Sequence, residues 1–194
     1  DNEYSVLLTG YSVLGQSSLA KFSNSEKQSC NKNGRSAIED QSKDKMHKNL
    51  HTILGNAQVL LEPLAPQHYE ELRLACAEDQ EIWDIYPNSM LGEHFDKAIA
   101  DMSEAQNRAV FAVINNDPNT GKKVVGMTSY INPDQQGVVE IGGTYISPAV
   151  RGTDFNLNMK RLLIEHGFSC GYRRIEFRVD VRNKRSQKAV LKLG

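Results

Sequence analysis

Residues 138–156, VVEIGGTYISPAVRGTDFN, decide the fold of this chain, together with the amphipathic run Leu157–Phe168 that follows directly. Val138 to Ile146 mixes β-branched and aromatic residues with small ones, the pattern of a strand against whose backbone something packs closely. Ser147-Pro148 should stop it. After the polar turn Arg151-Gly152-Thr153-Asp154-Phe155-Asn156, apolar positions at Phe155, Met159, Leu162, Leu163 and His166 follow the spacing of a helix with one buried face. The unit reads strand, polar turn, helix.

Such a turn aims the free N–H groups of the first helical turn, and the positive end of the helix dipole, at whatever lies before it. It therefore suits a phosphate or pyrophosphate, and Arg151 adds a fixed positive charge. Two well-known phosphate turns do not fit. A Walker A loop needs a Gly-Lys-Ser/Thr ending, which is absent, and the dinucleotide fingerprint needs three spaced glycines where only Gly152 stands.

Outward from the turn, the segments on either side form a succession. Glu140-Ile141-Gly142 and Tyr145-Ile146-Ser147 lie upstream; Asn183-Lys184-Arg185-Ser186-Gln187-Lys188-Ala189-Val190-Leu191-Lys192-Leu193-Gly194 lies downstream. With Arg151-Gly152-Thr153-Asp154-Phe155-Asn156 between them, this resembles the GNAT acetyltransferases over roughly Ala57 to Gly194. The branch it most resembles is that of the ribosomal-protein N-terminal acetyltransferases (RimJ/RimL-like), which commonly carry Arg-Gly-Thr-Gly-x-Asn and Asn-x-Arg-Ser-x-x-Ala-Ile-x-x-Leu-Gly. The acyl-coenzyme A signature [Gln/Arg]-x-x-Gly-x-[Gly/Ala] falls on Arg151, Asp154 and Asn156 and departs at both small positions. The resemblance implies an α/β (α+β) fold, a GNAT-like acyl-CoA N-acyltransferase with a mixed, mostly antiparallel central sheet flanked by helices.

The rest of the chain agrees with that architecture. A strand over Gln58–Leu64 leads to a helix that Pro66 can begin, with Tyr69, Leu72 and Cys76 on one face. An aromatic loop, Ile82 to Pro87, precedes a second helix marked by Phe95, Ile99 and Met102. Ala109–Asn115 and Lys123–Ile131 read as antiparallel strands around a turn at 116–121, and a second turn at 132–137 delivers the chain into the central strand. Gly171 should cap the signature helix, Arg173–Val181 alternates as a strand, and Asn183 should cap a last helix. Residues 1–48 read differently, as an extension or linker, partly disordered: an apolar piece at Tyr4–Leu14 precedes a Ser-, Asn-, Gln- and Lys-rich stretch from Gln16 to Lys48. The domain is then 49–194, truncated before the two C-terminal strands that relatives carry. Strand 173–181 is expected to lack its neighbour; another chain, the Tyr4–Leu14 segment or nothing covers its edge, and a bare edge or another chain is favoured.

At 194 residues and 39% hydrophobic content the chain supports one domain with a real core. A net charge of −1 gives no overall pull to nucleic acid or to an anionic membrane. Three cysteines, Cys30, Cys76 and Cys170, without paired metal spacing read as free thiols in a reducing compartment. With no run of membrane length and no signal peptide, the expected location is the cytoplasm, with no nucleic-acid or membrane partner and no metal. His166 reads as a core-face residue, and His68 and His94 as surface ones.

The resemblance also implies the chemistry. Acetyl-CoA is the acyl donor and an amine, such as a protein N-terminus, the acceptor; a homodimer is compatible with the family. The pantetheine arm enters a splay between Glu140–Ser147 and Arg173–Val181, bonded by backbone groups of Tyr145, Ile146 and Ser147, with the Ile146 N–H polarising the thioester carbonyl. Arg151, Gly152, Thr153, Asp154, Phe155 and Asn156 hold the pyrophosphate, and Asn183 and Ser186 complete the cofactor site. Glu140 corresponds to the general base, and Ser186 to a serine that can bond the cofactor sulfur. Val190 stands where other GNAT groups place an acidic tyrosine. An alternative remains: a non-catalytic GNAT-like module that binds acyl-CoA or a protein partner without turnover. A carboxylate at Asp154, where glycine normally meets the pyrophosphate, favours it.

Overall fold

The computed structural model describes residues 3–9, 50–119 and 121–193, so the expected linker over 16–48 and Cys30 lie outside the described residues. Among the described residues seven strands form one sheet: β1 (Glu3–Thr9), β2 (Leu54–Gly55), β3 (Val59–Pro63), β4 (Arg108–Asn115), β5 (Lys123–Ile131), β6 (Val138–Ile146) and β7 (Arg174–Asp180), in the order β1-β7-β6-β5-β4-β3-β2. Neighbours from β2 to β6 are antiparallel, whereas β6–β7 and β1–β7 are parallel. The helices are α1 (Tyr69–Ala77), α2 (His94–Glu104), α3 (Phe155–Ser169) and α4 (Lys184–Leu191). The expected mixed, mostly antiparallel sheet flanked by helices is therefore what forms.

Because side chains alternate along a strand, each central strand feeds two cores. Phe111 and Val113 of β4 pack on one face with Phe155, Met159 and Leu163 of α3 and Ile175 and Phe177 of β7. Ala112 and Ile114 pack on the other, with Leu72 and Cys76 of α1, Phe95 and Ile99 of α2, and Trp83. Burial on both faces is why β5 reads as a near-continuous apolar run. Gly171, with φ at +94°, ends α3 as its sequence position indicates.

Two expectations are corrected. The β7 edge is not bare: β1 pairs with it in parallel from Glu3↔Arg174 to Thr9↔Asp180. The segment EYSVLLT is rich in β-formers, and satisfying a row of edge N–H and C=O groups favours its addition to the sheet. His68 is buried rather than exposed, because the polar atoms of its ring have partners inside: Nε2 lies 3.0 Å from a Glu62 carboxylate oxygen, and Nδ1 accepts from the Ala65 N–H.

Candidate acyl-donor site

The parallel pairing of β6 with β7 lasts for three residues, Val138↔Arg174 to Glu140↔Glu176, and then stops, although both strands continue. What drives them apart is local to β6. Its register against β5 shifts between Met127 and Ser129, and Gly143 takes a φ of +58°, a bulge that bends the strand away from β7. The expected splay is present, and its backbone orientation can be worked out. The Ser147 N–H turns to β5 and meets the Val125 carbonyl at 2.7 Å, so Ile146 directs its N–H and C=O to the opposite side, into the gap. The Thr144 carbonyl faces the same way and accepts from the Tyr86 hydroxyl.

The gap opens into a cleft of about 250 Å³ whose walls include Thr144, Tyr145, Ile146, Arg151 to Asp154, Asn156, Asn183 and Ser186. It thus gathers most of the residues picked out from sequence. Ser147 and Phe155 are instead buried behind the wall, and Glu140 stands beyond the cleft at the last paired rung. The turn between Arg151 and Asn156 is built by Gly152, whose φ of +76° favours glycine, and by Thr153, whose hydroxyl donates to the Val150 carbonyl and accepts from the Phe155 N–H at 3.2 Å. Asp154 is exposed at the rim and makes no side-chain cap bond. Asn183 caps α4 by accepting from the Ser186 N–H at 3.0 Å, which sets Ser186 at the cleft.

Charge in the cleft is arranged around a residue that sequence reasoning missed. Asp79, just beyond α1, accepts from Arg151 and lies 3.5 Å from a guanidinium nitrogen of Arg185. Burial would raise the Asp79 carboxyl, but the two arginines outweigh it and hold the group below its ordinary value. Arg151 also donates to the Ile146 carbonyl at 2.8 Å and lies over the Tyr145 ring. Arg151 is therefore held in one orientation by contacts within the chain. Arg185, Lys188 and Lys192 line the α4 side and leave the cleft net positive.

Glu140 is mostly buried, and its carboxylate lies 3.3 Å from Arg178 Nε. Burial raises its carboxyl above the ordinary value, with Glu176 adding to the rise and Arg178 and Arg108 opposing it. A Cβ on Gly142 would sit 2.7 Å from its Oε1, so the carboxylate lies over that glycine, toward the bulge. Tyr86 lines the cleft through a loop that Trp83 locks in place, stacked on Tyr145 and donating to the Cys76 carbonyl at 3.0 Å. Burial pushes the Tyr86 phenol up to about 12, so it remains a hydrogen-bond donor at neutral pH. Among the described residues no cluster of three His, Cys, Asp or Glu could hold a metal, and no helix is long and apolar enough to cross a membrane.

A family model described as an acetyltransferase (GNAT) domain matches residues 58–194. Among solved structures, the chain is similar to a probable acetyltransferase of the GNAT family from Chromobacterium violaceum, with 27% identity and a TM-score of 0.68, over 88% of this chain and 82% of that one. It is also similar to a GCN5-related N-acetyltransferase from Brucella melitensis, with 26% identity and a TM-score of 0.67, over 74% and 67% of the two chains. A spermidine N-acetyltransferase from Vibrio cholerae, in complex with CoA and spermine, shares the fold at 16% identity and a TM-score of 0.54, over 72% and 81%. Among curated proteins, none matches this sequence.

Proposed function

This chain belongs to the GNAT acetyltransferase family, and from that premise we propose that it moves an acetyl group from acetyl-CoA to a primary amine, with protein N-termini as the acceptor class. The observation that carries the proposal is the parting of β6 from β7 after Glu140, beside a net positive cleft at the start of α3. An extended pantetheine can occupy the gap as a false strand, and the residues present fit its phosphates: Arg151, Arg185 and the first-turn amides of α3 offer donors and positive charge. The motif likeness of 151–156 and 183–194 supports the RimJ/RimL-like branch, and 49–194 is taken as the catalytic domain.

The chemistry follows from the placement. The acceptor arrives as an ammonium and must lose that first proton to attack; Glu140, buried enough to favour proton uptake, takes it directly or through water. As the C–N bond forms, negative charge develops on the thioester oxygen, and the Ile146 N–H aimed into the gap is placed to stabilise it. The C–S bond then breaks with its electron pair on sulfur, and Ser186, at the cleft, can bond the departing thiolate until the proton shed as the C–N bond forms reaches it. Holding donor and acceptor together supplies much of the rate.

The test is to mix the protein with acetyl-CoA and a panel of acceptors: peptides starting in Ser, Ala or Met, a lysine peptide with a blocked N-terminus, and spermidine. Mass spectrometry should show one acetyl group on a peptide N-terminus, and transfer to spermidine alone would refute the acceptor class. The second reading, a module that binds acyl-CoA without turnover, is favoured by Asp154 at the rim and by the engagement of both arginines with Asp79. Coenzyme A binding with no amine acetylated would establish it.

A further inference from the structure

Lys160 of α3 is 5% exposed and lies in the layer between the helix and the sheet. Its amine donates to the Thr144 hydroxyl at 2.7 Å and sits 5.4 Å from the centre of the Phe177 ring on β7. Thr144 in turn shares a hydrogen bond of 2.8 Å with the Thr128 hydroxyl on β5. Among the described residues no carboxylate is in ion-pair contact with the amine. A buried ammonium without a paired carboxylate is costly, so the surroundings favour the neutral amine.

The position matters more than the burial. Thr144 lies on β6 between Glu140, at the last rung of β6–β7 pairing, and Ile146, and it lines the cleft. Lys160 is therefore bonded to the hydroxyl of a residue that lines the cleft, and a hydroxyl can pass a proton in either direction. We propose that Lys160 is the proton store of the acetyl-transfer site, taking the acceptor's proton through the Thr144 hydroxyl and returning it by the same route to the departing thiolate. The proposal rests on the acetyltransfer reading above and deepens it.

The step balances. As the amine nitrogen bonds to the acyl carbon, its proton passes to the Thr144 oxygen while the Thr144 proton passes to the Lys160 lone pair. When the C–S bond breaks, its electron pair leaves on sulfur; Thr144 protonates the thiolate and is itself reprotonated by Lys160. Nothing is oxidised or reduced. Lys160 touches no substrate in this arrangement, so it positions the proton and does not act as a catalytic residue. The charged groups facing this region are Glu140 on β6, Glu176 and Arg178 on β7, and Arg108 on β4, of which Glu140 favours the charged lysine. Burial outweighs it and lowers the Lys160 amine to about 7, where it can both take and give a proton at neutral pH.

Two measurements test the relay. In protein carrying 13C-labelled lysine, the side-chain signal lost in Lys160→Met should titrate near pH 7. Titration of that signal at the ordinary value for a lysine, about 10, overturns the proposal. With an amine that the panel shows to be acetylated, the rise of kcat/KM with pH through about 7 should flatten in Lys160→Met and in Thr144→Val, with a loss of roughly tenfold or more at pH 8. Thr144→Ser should restore it and Lys160→Arg should not, because a guanidinium keeps its proton. Transfer with an unchanged profile, or an equal loss at every pH, sinks the relay alone. Failure to acetylate any amine sinks the acetyltransfer reading, and the relay with it.

Discussion

Replacing Lys160 by methionine should stabilise the protein at neutral pH, by an amount that depends on pH in a defined direction. The amine falls from an ordinary 10.5 to about 7 in the folded chain, because burial disfavours its charge. Between those values the unfolded chain binds the proton that the folded chain refuses, so stability rises with pH across this window and is flat below it. At about 1.4 kcal/mol per unit, the cost of Lys160 is about 4 kcal/mol at pH 7 and about 1–2 kcal/mol at pH 9.5. Methionine keeps the length and packing of the stem and discards the charge, while the lost bond to Thr144 is a constant offset. Urea unfolding of both proteins at the two pH values should therefore show the advantage of Lys160→Met shrinking by about 2–3 kcal/mol on going from pH 7 to 9.5. Taking the difference between the proteins cancels the tyrosine and cysteine ionisations they share. A difference that is constant within about 0.5 kcal/mol would mean that Lys160 is charged in the folded state, against the reasoning from burial.

Asp79→Asn should tighten coenzyme A binding about three- to tenfold, roughly 1 kcal/mol, by releasing Arg151 and Arg185 from a part-exposed carboxylate; calorimetry showing weaker binding would mean that Asp79 orients the arginines productively. Gly142→Ala should lower kcat about tenfold or more with little change in coenzyme A affinity, since its Cβ would displace the Glu140 carboxylate from a 2.7 Å approach, and steady-state kinetics checks the split. Asp154→Gly should raise coenzyme A affinity by less than about threefold, because its carboxylate is exposed at the rim and screened; a larger, salt-sensitive gain would place that charge against the pyrophosphate.

Strands β4 to β7 and the helix after the turn were legible because their signals are local: alternation, a proline stop at Pro148, a glycine stop at Gly171. The gap between β6 and β7 was not legible from periodicity, since it depends on where pairing across strands ends; only motif likeness pointed to it. Asp79 escaped notice because it meets Arg151 across 72 positions of chain and belongs to no motif. Lys160 escaped for another reason. It follows Met159 on the helix, and a lysine flanking an apolar stripe normally reaches water, so nothing in the sequence marks this one as buried. The pairing of β1 with β7 joins strands more than 160 positions apart, as Val6 and Phe177 do, and local sequence carries no record of such a register.

The central claim is that acetyl-CoA lies in the gap between β6 and β7, with its phosphates at the start of α3. Residue-resolved amide hydrogen exchange with and without acetyl-CoA tests it most directly, because it reports where the donor rests whether or not an acceptor is known. Exchange should slow at Ile146 and over 152–157, with little change in β2 and β3. Protection confined to other segments, or none at saturating acetyl-CoA, would contradict it.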